Sequence, residues 1–311
     1  MPVGESAVDG EVGPHGGRAR VARKLPDTHV RCSDVVEGDE MEPSGTAVVT
    51  GASRGIGRAT AVALAQRGFD VVATMRDPAA GARLAEAGGG RLRVERLDVN
   101  DPSSIVLPAD LRVLVNNAGV EDENLPLETM PSEIWRKLFE TNVFGLVEVT
   151  KHAVPLMREN GGGVICNVTS SSILAPVPFL GAYRASKAAV GAIGESLQAE
   201  VGQFGIRVVE IMPGPIETDM LAASDRPARA IDDDVYRSLA ESMWASRQGI
   251  RDAYTPASEA ARRIVDAILD DDGPLRYGCD DMSEGMLEGW RSVASDDAWL
   301  RPMFAAFSAT S

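Results

Sequence analysis

Tyr183 and Lys187 stand four residues apart in Gly181-Ala182-Tyr183-Arg184-Ala185-Ser186-Lys187-Ala188-Ala189-Val190. On a helix the two side chains share one face, with Cβ atoms about 5–6 Å apart. A cation beside a phenol favours the phenolate, so the tyrosine pKa falls from its usual value of about 10 toward a range where it exchanges a proton. Tyr183 is therefore a candidate general acid/base. Taken alone, such a pair is also what an exposed helix surface carries, and the company it keeps decides between the two.

A second chemical stretch is Gly51-Ala52-Ser53-Arg54-Gly55-Ile56-Gly57. It follows a short apolar run, Thr46 to Thr50, and leads into a helix-like stretch from Arg58 to Arg67 that stops at Gly68. Strand, glycine-rich turn and helix together make a phosphate cradle: the glycines admit a pyrophosphate close to the backbone, and the helix N-terminus offers unpaired N–H groups. The Gly-x-x-x-Gly-x-Gly spacing departs from the commoner Gly-x-Gly-x-x-Gly. The second strand, Asp70 to Thr74, ends at Met75-Arg76-Asp77. A ribose with a free 2′-hydroxyl calls for a carboxylate at that corner, a 2′-phosphate for a cation. Met75 occupies the carboxylate position, and Arg76 and Arg54 supply guanidiniums, which favours NADP(H) over NAD(H). The competing reading pairs Asp77 with Arg76 on a solvated surface.

The third strand, Leu92 to Leu97, finishes at Asp98-Val99, where Asp98 either receives an adenine amino group or caps the next turn. The connection from Asn100 to Asp110 has room for little more than a helical turn or two. Strand four, Leu111 to Val115, meets Asn116-Asn117-Ala118-Gly119, small and amide residues that suit either a ligand at a strand end or a plain turn. A long helix is expected from Ser132 to Arg158, with Asn142 polar among apolar neighbours and so buried and bonded, either structurally or in a proton path. Strand five, Val164 to Val168, runs into Thr169-Ser170-Ser171-Ser172. The loop back to Tyr183 brings a serine hydroxyl and the phenol to one strand end, where they can flank one small oxygen.

Composition narrows the classes. The chain has 311 residues, 44% of them hydrophobic, and a formal net charge of −15, which speaks against a nucleic-acid surface. No apolar run is long enough to span a membrane. Cys32, Cys166 and Cys279 show neither metal spacing nor a pairing pattern, and His15, His29 and His152 are scattered, so no metal site is expected and a reducing cytoplasm fits best. Residues 1–44, glycine-rich and charged, read as a disordered tail without a secretory or transit signal, and Met41 is a candidate start of a shorter product. Residues 45–280 read as one α/β domain, and 281–311 as an apolar C-terminal extension that packs on the domain or on a neighbouring subunit.

Over roughly Thr46 to Asp270 the sequence resembles the short-chain dehydrogenase/reductase family, which carries Thr-Gly-x-x-x-Gly-x-Gly, Asn-Asn-Ala-Gly, a serine and Tyr-x-x-x-Lys in this order. The resemblance implies a doubly wound parallel sheet of six or seven strands, Rossmann-like, with Tyr183 as acid/base and Ser170, selected among three serines by its offset of thirteen residues from Tyr183, holding the substrate oxygen. It implies Lys187 on the nicotinamide ribose while depressing the Tyr183 pKa, and Asn142 supporting a proton-relay water. Cofactor contacts follow at Gly51, Ser53, Arg54, Gly55, Ile56, Gly57, Arg76, Asp98, Val99, Asn117, Ala118 and Gly119. Pro213, Gly214, Ile216 and Thr218 form a nicotinamide-side loop after strand six, Arg207 to Met212.

Two departures from the pattern are the short crossover between strands three and four and Ile173 in a position where many members have glycine. Residues 217–255 read as a helical lid with an apolar inner face or as ordinary amphipathic packing, Pro256 to Leu269 as a helix, and Leu275 to Tyr277 as a seventh strand. The stretch from Val71 to Asp77, the lid and the extension are similar to the hydroxysteroid and retinol dehydrogenase branch, which points to a bulky hydrophobic alcohol or ketone. The alternatives are a 3-oxoacyl-carrier reductase and a non-catalytic NADPH-binding sensor. By the same resemblance, the helices bearing Asn142 and Tyr183 form a homodimer or homotetramer interface.

Overall fold

The computed structural model describes residues 42–223 and 228–308, so almost all of the tail expected over 1–44 lies outside the described residues. The chain runs β1 (Thr46–Val49), α1 (Gly55–Gln66), β2 (Asp70–Met75), α2 (Ala82–Ala87), β3 (Leu92–Arg96), β4 (Leu111–Asn116) and α3 (Ser132–Phe139). A π-helical segment, Glu140–Gly145, joins α3 to α4 (Leu146–Glu159), followed by β5 (Gly163–Val168), α5 (Gly181–Val201), β6 (Ile206–Met212), β7 (Ile216–Glu217), α6 (Asp219–Ala223) and α7 (Arg237–Gly249). The chain ends with β8 (Thr255–Pro256), α8 (Ala257–Leu269), β9 (Arg276–Gly278), α9 (Asp281–Ser292) and α10 (Asp296–Ser308).

Successive strand residues point to opposite faces, and here both faces are apolar. Ala47 and Val49 of β1 lie with Val71, Val113 and Val209 beneath Leu64 of α1 and Ile264 and Ile268 of α8. Val48 lies on the other side with Val72, Leu114 and Ile165, beneath Val149 and Met157 of α4 and Val201 of α5. Strands apolar on both faces form a parallel sheet covered by helices on both sides. Burial of each such side chain contributes about 1.5–3 kcal/mol. The sheet has seven strands in the order β3-β2-β1-β4-β5-β6-β9, all parallel. The chain departs from β1 first to one side and then, with β4, to the other. That switch point opens a crevice at the carboxyl ends of the strands.

Several boundaries differ from expectation for local reasons. Helix α1 begins at Gly55, ahead of Arg58, because the glycine turn itself enters the helix, with Gly55 at φ +56°. The helix expected to run unbroken from Ser132 to Arg158 is interrupted by the π-segment, an inserted-residue distortion that apolar periodicity does not register. The short crossover between β3 and β4 is a 3₁₀ turn, Pro102–Ser104, and Leu97, Val99 and Ile105 close the core there. Segment 217–255 leaves and returns through a two-residue parallel pair, Ile216 with Thr255 and Glu217 with Pro256. Residues 224–227 of that segment lie outside the described residues. The C-terminal extension packs on its own domain: Leu287 of α9 is 2% exposed and clusters with Leu174 and Met212.

Candidate active site

Helix α5 presents Tyr183 and Lys187 one turn apart, and the carboxyl end of β5 presents Ser170. The Lys187 ammonium lies 5.9 Å from the Tyr183 ring centroid and donates to the Val168 carbonyl at 2.9 Å. Ser170 Oγ donates to Ser172 Oγ at 2.9 Å and accepts from Ser172 N at 3.2 Å, capping the 3₁₀ turn Ser171–Leu174. Of the three serines, Ser170 is the one whose hydroxyl acts on the Tyr183 pKa. Burial lowers the Lys187 pKa to about 8. The expectation that Lys187 depresses Tyr183 does not hold in this structure. Burial drives the phenol above its ordinary value, the Glu121 carboxylate adds to the rise, and the Ser170 hydrogen bond pulls it down. Desolvation of the phenolate outweighs the opposing pull of Ser170.

Asn142 sits in the π-segment and is 1% exposed. Its Oδ1 accepts from Val120 N at 2.8 Å, and its Nδ2 donates to Val120 O at 3.0 Å and to Ser186 Oγ at 3.0 Å. Ser186 Oγ donates in turn to the Tyr183 carbonyl at 2.7 Å. The amide therefore clamps the loop after β4 to the backbone of Tyr183. A Cβ placed on Gly119 would lie 3.4 Å from both Asn142 Oδ1 and Lys187 Nζ, so the Asn-Asn-Ala-Gly turn runs directly beside these two groups.

The glycine turn closes against the same strand ends. Thr50 Oγ1 accepts from Asn117 N and Ala118 N, each at 3.0 Å, and Asn117 Nδ2 donates to the carbonyls of Thr50 and Gly51 at 2.9 and 3.2 Å. Gly51, at φ +66°, has no room for a side chain, since a Cβ would sit 2.7 Å from Ala118 Cα. Gly57 is blocked in the same way by the Asn117 amide and the Gly51 carbonyl, and a Cβ on Gly55 would touch Thr218 Cγ2 at 3.1 Å. The turn, Asn117, Ala118 and the 213–218 loop are thus drawn to one place, with Ser53 and Ile56 half-buried in the turn between them. A cleft of about 620 Å³ opens on the α1 side of Gly55 and Thr218, bordered by Arg58, Val62, Glu217 and Asp219. It adjoins the glycine turn and not Ser170 or Tyr183.

At the end of β2 and in the glycine turn, Arg76 and Arg54 are exposed, and neither makes an ion pair or side-chain hydrogen bond among the described residues. Asp77 does not pair with Arg76. Its Oδ1 accepts from Ala79 N at 3.0 Å as the cap of a 3₁₀ turn, and Met75 is buried at 3% exposure. Asp98 caps its own turn, accepting from Asn100 N at 3.1 Å; Val99 is buried against Gly145 of the π-segment.

Several contributors escaped the sequence reading. Arg184, next to Tyr183, donates from Nε to the Ser172 carbonyl at 2.7 Å and from Nη2 to the Ile173 carbonyl at 3.4 Å. Trp299 of α10 donates from Nε1 to the Leu174 carbonyl at 2.7 Å. Three successive carbonyls of the serine turn are thus held by side chains from α5 and α10. Phe179 adopts φ +67°, a left-handed conformation that costs a bulky residue on the order of 1–3 kcal/mol. Its ring meets Tyr236 edge-on at 6.0 Å, and Tyr236 donates to Glu128 Oε1 at 2.8 Å. Arg229 pairs with Glu123 at 2.7 Å, so segment 217–255 is tied to the loop after β4 at two points. Among the described residues no group of three His, Cys, Asp or Glu side chains is placed to hold a metal, and no helix is long and apolar enough to cross a membrane.

A model of the short chain dehydrogenase family matches residues 45–228. Cis-4-hydroxycyclohexanecarboxylate dehydrogenase of Sinomonas cyclohexanicum is 36% identical over 251 residues, 73% of this chain and 94% of the relative. Estradiol 17-beta-dehydrogenase 2 of Rattus norvegicus is 34% identical over 191 residues, covering 57% of this chain and 50% of the relative. A crystal structure of a short chain dehydrogenase from Burkholderia cenocepacia in complex with NADP superposes with a TM-score of 0.66 at 25% identity, covering 85% of this chain and 99% of the other.

Proposed function

The chain belongs to the short-chain dehydrogenase/reductase family of oxidoreductases, and from that premise we propose that it interconverts a hydrophobic secondary alcohol and its ketone with NADP(H). The observation that carries the proposal is the meeting of three parts: Lys187 lies 5.9 Å from the Tyr183 ring, is bonded to the Val168 carbonyl two residues before Ser170, and adjoins the Gly119 turn.

The cofactor supplies or accepts the hydride. Tyr183, neutral at pH 7 because burial disfavours its phenolate, gives its proton to the ketone oxygen in reduction and takes it back in oxidation. Ser170 Oγ holds the same oxygen. Lys187, anchored on the Val168 carbonyl, would hold the nicotinamide ribose, and Asn142 would keep the Tyr183 backbone and the Gly119 turn in register. Gly51, Ser53, Gly55, Ile56 and Gly57 would form the pyrophosphate cradle, with Asn117, Ala118, Pro213, Gly214, Ile216 and Thr218 around the nucleoside ends. Asp98 and Val99 would border the adenine.

NADP(H) is favoured over NAD(H) by the exposed Arg54 and Arg76, neither of which is neutralised by a carboxylate among the described residues. Arg76→Ala should weaken NADPH binding by about tenfold and leave NADH binding unchanged, since one charge-assisted contact contributes roughly 1.5–3 kcal/mol. Equal affinity of the wild type for both cofactors contradicts the assignment.

Segment 217–255, the proposed lid, meets Phe179 through Tyr236, an apolar border suited to a carbocyclic alcohol. A panel of cyclohexanol, cis-4-hydroxycyclohexanecarboxylate, estradiol and an acetoacetyl thioester checks this. Preference for the thioester would move the enzyme to the 3-oxoacyl reductases, and tight NADPH binding without turnover would make it a sensor. Tyr183→Phe should abolish turnover and keep cofactor affinity; retained turnover removes the assignment. Phe144, exposed beside the cluster formed by Val143, Leu146 and Val190, fits a helical homodimer or homotetramer interface, which sedimentation tests.

A further inference from the structure

Asp280 is a buried carboxylate, 1% exposed, at the N-cap of α9. Its Oδ1 accepts from Ser283 N at 3.0 Å; its Oδ2 accepts from Ser283 Oγ at 2.6 Å and from Gly214 N at 2.7 Å. Capping alone does not call for a carboxylate, because serine caps a helix as well, and burying a carboxylate among neutral donors carries a desolvation cost. The bond to Gly214 accounts for the choice. Gly214 N–H and the Pro213 carbonyl belong to one peptide unit, and that carbonyl accepts from Ser171 N at 2.9 Å. The unit is therefore gripped on one side by Asp280 and on the other by the residue that follows Ser170. A side chain at Gly214 would collide with the Asp280 carboxylate, so the close approach depends on glycine. A charged acceptor on the N–H polarises the amide and strengthens its carbonyl as an acceptor.

We propose that Asp280 is a positioning residue of the active site. Through the Pro213–Gly214 peptide it fixes Ser171 and, with it, the Ser170 hydroxyl against Tyr183. The inference rests on the proposed roles of Ser170 and Tyr183, and it puts their alignment under the control of α9, outside the matched residues 45–228.

The test compares the full-length wild type with Asp280→Ser and Asp280→Asn. Serine preserves the cap and is too short to reach Gly214; asparagine reaches it without the charge. Amide hydrogen exchange is read on peptides spanning 169–174, and kinetics are measured with NADP⁺ and cyclohexanol or whichever panel alcohol the wild type oxidises. Asp280→Ser should speed exchange at 169–174 and lower kcat on the order of tenfold with the alcohol KM within about twofold, less than the ~10²-fold cost of a 1 Å misplacement. Asp280→Asn should fall between it and the wild type. Wild-type exchange at 169–174 together with wild-type kcat, whatever the melting temperature, would overturn the proposal. If Asp280→Ser does not melt cooperatively, Asp280→Asn decides on the same readouts. A wild type that oxidises none of the alcohols counts against the oxidoreductase reading, and the exchange data then decide the role of Asp280 on their own.

Discussion

Lys187 is held where its charge is disfavoured. Burial lowers its pKa to about 8 from the ordinary 10.5, so below about pH 8 the folded protein bears the full cost of a buried ammonium. Between about pH 8 and 10.5 the unfolded chain holds the proton more tightly than the folded one, and stability rises with pH. Lys187→Met should therefore melt at a higher temperature than the wild type at pH 7, less whatever is lost by leaving the Val168 carbonyl without its donor, and the gap should shrink toward pH 10.5. Calorimetry across that range checks the sign; a gap that grows with pH contradicts it. Tyr183 carries the opposite consequence. By the proposed mechanism, oxidation of an alcohol needs the phenolate, and Ser170 is the neighbour that lowers the Tyr183 pKa. Ser170→Ala should lower kcat/KM by about 10² and shift the rising limb of its pH profile to higher pH, whereas an unshifted limb would separate Ser170 from the tyrosine.

At the scale of elements, the π-segment does what a regular helix would not: it turns Asn142 inward so that one amide spans Val120 and Ser186. Asn142→Ala leaves the Val120 N–H and carbonyl without these partners and should cost about 1–3 kcal/mol of stability, readable in denaturant melts, with a larger loss of turnover than of cofactor binding. What was legible in the sequence was local. Tyr183 and Lys187 lie one helical turn apart, and the glycines of the 51–57 turn sit between a β-strand and a helix, so spacing alone conveyed their geometry. The strands were legible because both of their faces are buried. The π-segment was not, because one inserted residue leaves apolar periodicity almost intact. Nor were the braces of the serine turn: Asp280 lies 66 positions from Gly214, and Trp299 lies 125 from Leu174. Their chemistry exists only after the chain has folded back, and nothing in their own neighbourhoods announces it. Arg184 stood beside Tyr183 and was readable only as a surface cation until the fold gave it two carbonyls.

On the scale of the whole molecule, the crevice is assembled from opposite ends of the chain. The glycine turn is bonded to the end of β4 by Asn117 and Ala118, whereas the serine turn is secured by α9 and α10. A chain cut after residue 294 keeps every strand of the large sheet and loses the Trp299 bond to Leu174. It should still bind NADPH within a few-fold of the full chain and turn over alcohol at least about tenfold more slowly, since a loosened catalytic turn costs more than a remote contact. Equal turnover would show α10 to be dispensable. The order of synthesis then matters. Chains emerge N-terminus first, at about 5–20 residues per second, so a nascent protein can form its glycine turn well before α9 and α10 have left the ribosome. Until Trp299 arrives, such a chain would hold a cofactor and use it slowly, so synthesis past Trp299 is what would bring the serine turn to full order.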